Sequence, residues 1–269
     1  MTPASRERGV ETPGCVMSCF EQGNGPPIVF VHGNASTHAT WQPTVESLRT
    51  HYRCITYDLR CHGTSECTSG SFSMARLVDD LENVRKRFDL EQFRLVGHSL
   101  GAMIAASYAL ENADRLKGLC LLAMPAGRTQ RDRAAGKALI DEVNSKGVRG
   151  AMGGLVARWY TDAFVATHPG LLEKRLDQFA DIDRAVFLEA YKLYLDTELG
   201  PRLGDIAVPT LVLTGQYASG CNTDTARYLG RQIPGSEVHI FPEMKNGILT
   251  EIPTRVAAKI HAFFSARTS

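Results

Sequence analysis

Apolar runs of strand length alternate with helical stripes along most of the chain. Residues 28–31 (Ile-Val-Phe-Val), 52–57, 93–96 (Phe-Arg-Leu-Val), 118–123 and 209–214 are near-continuous apolar runs, the pattern of strands covered on both faces. Residues 15–21 and 237–241 predict further strands, the first at an edge. Between them lie helical patterns: about 40–50, 73–88 with Met74, Leu77, Val78, Leu81, Val84 and Phe88 on one stripe and Ser73 at its start, 102–110, 224–232 and 254–264. From about 126 to 201 the strand-like runs stop and only helical stripes remain. Strands alternating with helices predict a mostly parallel, doubly wound α/β sheet. The change of pattern predicts core segments 1–125 and 202–269 and a helical cap over 126–201, inserted after the sixth strand. Residues 1–14 are polar and read as a loose tail.

Composition narrows this little. With 30 Lys and Arg against 29 Asp and Glu, the net charge is +1, which gives no argument for nucleic acid or an anionic membrane surface. No apolar run approaches a membrane span, and residues 1–14 hold no signal-like apolar stretch. The seven cysteines are scattered, with no C-x-x-C pair and no zinc spacing; they read as reduced thiols of a cytoplasmic protein, with no metal site. Nothing in the sequence speaks to oligomeric state.

In parallel sheets ligands bind beyond the carboxyl ends of the strands. The loops after residues 31, 57, 96, 214 and 241 all fall there. The most specific is Gly97-His98-Ser99-Leu100-Gly101, between a strand and a helix of small apolar residues. A serine on so sharp a bend needs nearly side-chain-free neighbours two residues away on either side, and the bend aims a positive helix end at its hydroxyl.

Taken together, His32-Gly33-Asn34, Asp58-x-Arg60-x-His62-Gly63-x-Ser65, Gly97-x-Ser99-x-Gly101, Pro209-Thr210-Leu211-Val212-Leu213-x-Gly215 and Glu251-x-Pro253 resemble the α/β-hydrolase superfamily, in its capped serine esterase and lactonase branch. The resemblance spans roughly residues 15–265. It implies Ser99 as nucleophile and an oxyanion hole from the backbone N–H groups of Leu100 and Asn34. It also places the triad acid at Ala218, three residues after Gly215, and the triad histidine at Asn246, five before Glu251. Neither residue can do the family's work: an amide cannot take the serine's proton at neutral pH, and alanine cannot orient a base. Both are shape-keeping replacements, and the chain reads as a disabled form of an active parent rather than a natural member that has lost hydrolysis. His62, His98, His239, Asp224 and Glu243 are weak stand-ins. Cys61 departs from the glycine usual there.

The resemblance implies a serine hydrolase of small carboxylic esters or lactones, working through an acyl-enzyme without a cofactor and nearly inactive in this chain. A non-hydrolysing ligand binder of the same fold, a carbon–carbon bond hydrolase and a cofactor-free lyase are the alternatives. His32, His98, Trp159 and Tyr160 are the pocket candidates, and Arg128, Arg131 and Arg133 could hold a substrate carboxylate or, more simply, form a solvated helix face.

Overall fold

The computed structural model describes residues 6–67, 72–179 and 182–267. Among these, nine strands form one sheet, in the order β1 (Arg6–Thr12), β2 (Cys15–Gln22), β4 (Arg53–Tyr57), β3 (Pro27–Val31), β6 (Phe93–His98), β7 (Leu116–Leu122), β8 (Thr210–Gly215), β9 (Glu237–Phe241), with β5 (Glu66–Cys67) against β2. From β4 to β9 every pairing is parallel; β1, β2 and β5 join antiparallel.

The apolar runs are central strands because helices cover both faces. On one face α2 (Met74–Arg87) and α3 (Leu100–Glu111) bury Leu77, Leu81, Met103 and Ile104 against Val29, Leu95 and Leu121. On the other, α1 (Gln42–Leu48) and α10 (Pro253–Ser265) bury Val45, Leu48, Val256 and Ile260 against Phe30, Val96 and Leu213. Ser73 starts α2 as its pattern predicts, its hydroxyl accepting from the Arg76 N–H at 3.1 Å. Helix α3 is buried from Leu100 to Ala109, so it carries no polar face.

The segment between β7 and β8 holds α4 (Gln130–Val156), α5 (Asp162–Thr167), α6 (Leu171–Asp177) and α7 (Arg184–Asp196). Gly147, in left-handed backbone at φ 72°, breaks α4 in two. Val143, Met152, Val156, Tyr160, Phe179 and Phe187 form a core of their own there, which also takes in Ala35 from the loop after β3. The chain closes with α8 (Thr223–Gln232), β9, the short α9 (Ile248–Glu251) and α10.

Three expectations are corrected. Within the supposed tail, residues 6–12 form β1, a hairpin partner of β2 through a two-residue turn at Pro13-Gly14. Among residues 7–12 only Val10 is buried, so the apolar pattern could not reveal the strand; the Pro-Gly pair was the available signal. With β1 and β5 counted, the helical insert follows the seventh strand rather than the sixth. Finally, Cys15 and Cys67 form a disulfide, 52 residues apart, where β2 and β5 place them directly opposite each other. That juxtaposition comes from strand pairing and is invisible to spacing rules. The thiol-based argument for a cytoplasmic location falls with it. No helix among the described residues is long and apolar enough to cross a membrane.

Candidate active site

Parallel register brings the loops after β3, β4, β6, β7, β8 and β9 to one edge. Val31 pairs with Gly97, His98 with Leu122 and Gly215 with Phe241, so the strand ends are level. Between β6 and α3 the backbone of Ser99 is held at φ 55°, ψ −117°, a left-handed conformation for a residue with a side chain. The N–H of Ser99 donates to Leu122 at 2.9 Å, and its carbonyl accepts from Ala102 and Met103. The two flanking glycines are required sterically. A Cβ on Gly97 would run into the Gly101 carbonyl, and one on Gly101 into the Val31 carbonyl.

The loop after β3 crosses directly above this bend. A Cβ on Gly33 would sit 3.1 Å from the Ser99 Cβ. Neither the Asn34 N–H nor the Leu100 N–H has an acceptor among the described residues. The Ser99 hydroxyl likewise makes no hydrogen bond among them, while Ser99 faces a cavity of about 1500 Å³.

Buried histidines hold the surrounding loops. His32 is fully buried and does not line the cavity, which corrects its assignment to the pocket. Its Nδ1–H donates to Gly33 O at 2.7 Å, and its Nε2 accepts from the Leu59 N–H at 2.9 Å, tying the loops after β3 and β4 together. Burial, with His62 nearby, pushes its pKa down to about 3, so it is neutral. His62 does the same one turn away, donating to Arg60 O and accepting from the Ala35 N–H. Asp58 anchors the β4 loop: burial alone would raise its carboxyl, but hydrogen bonds from His38 and Thr64 outweigh that and hold it at about 2. Arg60 and Asp80 form a buried bidentate pair at 2.7 and 2.8 Å.

The positions that the resemblance assigns to the acid and the histidine lie in adjoining loops, after β8 and β9. Tyr217 donates its N–H to Met244 O at 2.8 Å. The side chain of Asn246 accepts from the Ser219 N–H at 2.9 Å and donates through Nδ2 to Ser219 O at 3.0 Å. Ala218 is buried directly before it. Of the assigned residues, Asn34, His98, Ser99, Trp159, Tyr160 and Asn246 line one cavity, whereas the side chains of Leu100 and Ala218 are buried next to residues that line it.

The stand-ins fare differently. His239, Asp224 and Glu243 do not line the cavity. Asp224 pairs with Arg227 at 3.7 Å, and the Glu243 N–H binds Gln216. His98 does reach the cavity, but burial and the charge of Arg175 push its pKa down to about 4, making it a weak base. Cys61 lines the wall in left-handed backbone at φ 57°, which explains why glycine suits that position. Among the described residues no three His, Cys, Asp or Glu side chains gather as a metal site.

The three arginines that open the helical segment divide. Arg128 is committed to the fold, donating to Thr197 O at 2.8 Å and to Tyr194 O, with its guanidinium over the Tyr194 ring. Arg131 and Arg133 are exposed. The cavity cation that the pattern did not reveal is Arg175 on α6, which follows Lys174 in an ordinary-looking polar stretch. Glu251 was visible only as a motif marker. Its carboxylate accepts from the Thr161 N–H at 3.1 Å and from the Thr161 hydroxyl, at the start of α5. Beside it, the Gly247 N–H donates to Trp159 O at 2.7 Å.

A family model described as the alpha/beta hydrolase fold matches residues 26–142. The chain is 26% identical over 192 residues, 71% of each chain, to 3-oxoadipate enol-lactonase 1 of Acinetobacter baylyi. It is 26% identical over 252 residues to (E)-2-((N-methylformamido)methylene)succinate hydrolase of the same organism, covering 91% of this chain and 92% of the relative. In three dimensions it matches the enol-lactonase from Burkholderia xenovorans with a TM-score of 0.88 at 21% identity, over 96% of this chain and 100% of that one. Fold, strand-end loops and these similarities agree: the chain has the α/β-hydrolase fold.

Proposed function

We propose that this cavity is the site of a serine hydrolase for small carboxylic esters or lactones, in a form whose proton-transfer partners are absent. One observation carries the reading: Ser99 stands on a strained bend, its hydroxyl free of hydrogen bonds among the described residues, beside the two unpaired N–H groups of Asn34 and Leu100. In the reaction the Ser99 hydroxyl attacks the ester carbonyl carbon. The carbonyl oxygen becomes an oxyanion received by those two N–H groups, and collapse expels the alcohol to leave an acyl-enzyme that water cleaves. Each well-placed donor is worth roughly 3–4 kcal/mol in such a site.

The attack needs a base for the serine proton. Asn246 is not one, and its amide is already engaged by Ser219. Losing the base alone costs on the order of 10⁶ in turnover in a worked serine protease, so the residual rate rests on the oxyanion hole and binding. The adjoining loops support Ala218 and Asn246 as the acid and histidine positions. The test is the double variant Ala218→Asp with Asn246→His, assayed on short p-nitrophenyl esters and on lactones. Activity at least ~10³-fold above the unaltered chain is expected. Background activity across the panel would overturn the assignment.

The Asn246–Ser219 bonds also fit a second reading, a ligand-binding protein that does not hydrolyse. That reading requires tight binding by the unaltered chain, indifferent to Ser99→Ala.

A further inference from the structure

Chemistry at Ser99 makes no use of Arg175. This guanidinium lines the same cavity, close enough to His98 to depress its basicity, and His98 is the residue next to Ser99 in the chain. It is half-buried, and that desolvation lowers its own pKa. Its plane is held by two rings, with its carbon 4.7 Å from the Phe179 centroid and 5.6 Å from that of Trp159. Its hydrogen bonds go to neutral oxygens, to Gln178 Oε1 at 2.5 Å and to Ala35 O at a long 3.4 Å. No carboxylate of the described residues pairs with it.

A guanidinium has five N–H donors in a rigid fork, so most of this one's donors are uncommitted. The other charged groups of the cavity wall are occupied or exposed. Arg128 is bound to backbone carbonyls, Lys146 pairs with Glu142 at 3.8 Å, Asp132 and Asp183 cap helices, and Arg158 and Lys174 are exposed. A half-buried cation that no described carboxylate pairs with is a ready partner for an anionic group.

We propose that Arg175 receives a carboxylate of the ligand, so that the cavity takes esters or lactones that also carry a free acid group. The ester half of this assignment rests on the reading of Ser99 above; the acid half rests on Arg175 alone. Aromatic rings on its flanks keep the fork flat and shielded from water, the setting in which a bidentate carboxylate contact is strongest.

Binding to the unaltered chain tests this without requiring turnover. Calorimetric titration would compare the monomethyl esters of succinate, glutarate and adipate, each against its dimethyl ester, which differs only in masking the acid. The best-fitting monoester should bind at least ~10-fold more tightly than its diester. Arg175→Met should erase that ratio, Arg175→Lys should keep part of it, and Ser99→Ala should leave it intact. Equal affinity for acid and diester, or no binding of either, overturns the proposal. So does an Arg175→Met variant that weakens both forms alike, since Arg175 would then only be bracing the cap. None of these results decides the hydrolytic reading, which the Ala218→Asp, Asn246→His variant decides separately.

Discussion

The side chain of Asn246 and the peptide of Ser219 close a ring of two opposed hydrogen bonds, 2.9 Å one way and 3.0 Å the other, with the Ser219 hydroxyl adding a third contact at 3.2 Å. The amide thus mimics a strand partner and joins the loops after β8 and β9. Asn246→Ala should cost about 1–2 kcal/mol, read as a lower urea midpoint with an unchanged slope. An unshifted midpoint would show that the loops stay together without it.

Ser99 is held where glycine would rest more easily. Its left-handed backbone should store about 1–3 kcal/mol, so Ser99→Gly is expected to raise the melting temperature while removing the candidate nucleophile. Gly97→Ala should act oppositely and severely, because its methyl would meet the Gly101 carbonyl. Thermal unfolding of the two variants checks both signs.

The Cys15–Cys67 disulfide closes a 52-residue separation. Chain-entropy arguments put the stabilisation from a loop of that size at about 4 kcal/mol as an upper value. Cys67→Ser should therefore lower the melting temperature by several degrees, and dithiothreitol should reproduce the loss in the unaltered chain but not in the variant. A variant as stable as the parent under oxidising conditions would argue against the bond.

Stability should also fall with acid well before the carboxylates titrate. His32, with a pKa near 3, and His98, near 4, are neutral in the fold, and burial lowers His62 as well. In the unfolded chain each takes a proton near pH 6.5. For His32 and His98 the contribution is complete above about pH 6.5 and drains away as the pH falls toward 3–4, at about 1.4 kcal/mol per pH unit for each of the two; His62 acts in the same direction. Urea midpoints at pH 7.5, 6 and 5 should descend accordingly. His98→Gln should flatten the descent, because that ring makes no hydrogen bond among the described residues; an unchanged slope would contradict its depressed basicity.

Most of the sheet and the serine bend were legible because central strands and α3 must be apolar on every side, and because Gly97 and Gly101 have no sterically possible substitute. The same logic failed for β1, where Val10 alone is buried among residues 7–12, and for the disulfide, whose partners meet only after β2 and β5 pair. His32 was misplaced for a related reason. A histidine beside a catalytic loop has the same one-letter signature whether it faces ligand or braces backbone, and here both ring nitrogens are spent on Gly33 and Leu59. Arg175 was missed because nothing in Lys174-Arg175 says which of two neighbouring cations turns inward.

The grip of Glu251 on Thr161 has a mechanical corollary. Its carboxylate belongs to the floor of the molecule, yet it seats the first turn of α5 in the roof, and Gly247 holds Trp159 one step away. The start of α5 and the segment carrying residue 246 are thereby coupled, and a change as small as Glu251→Gln would loosen both together.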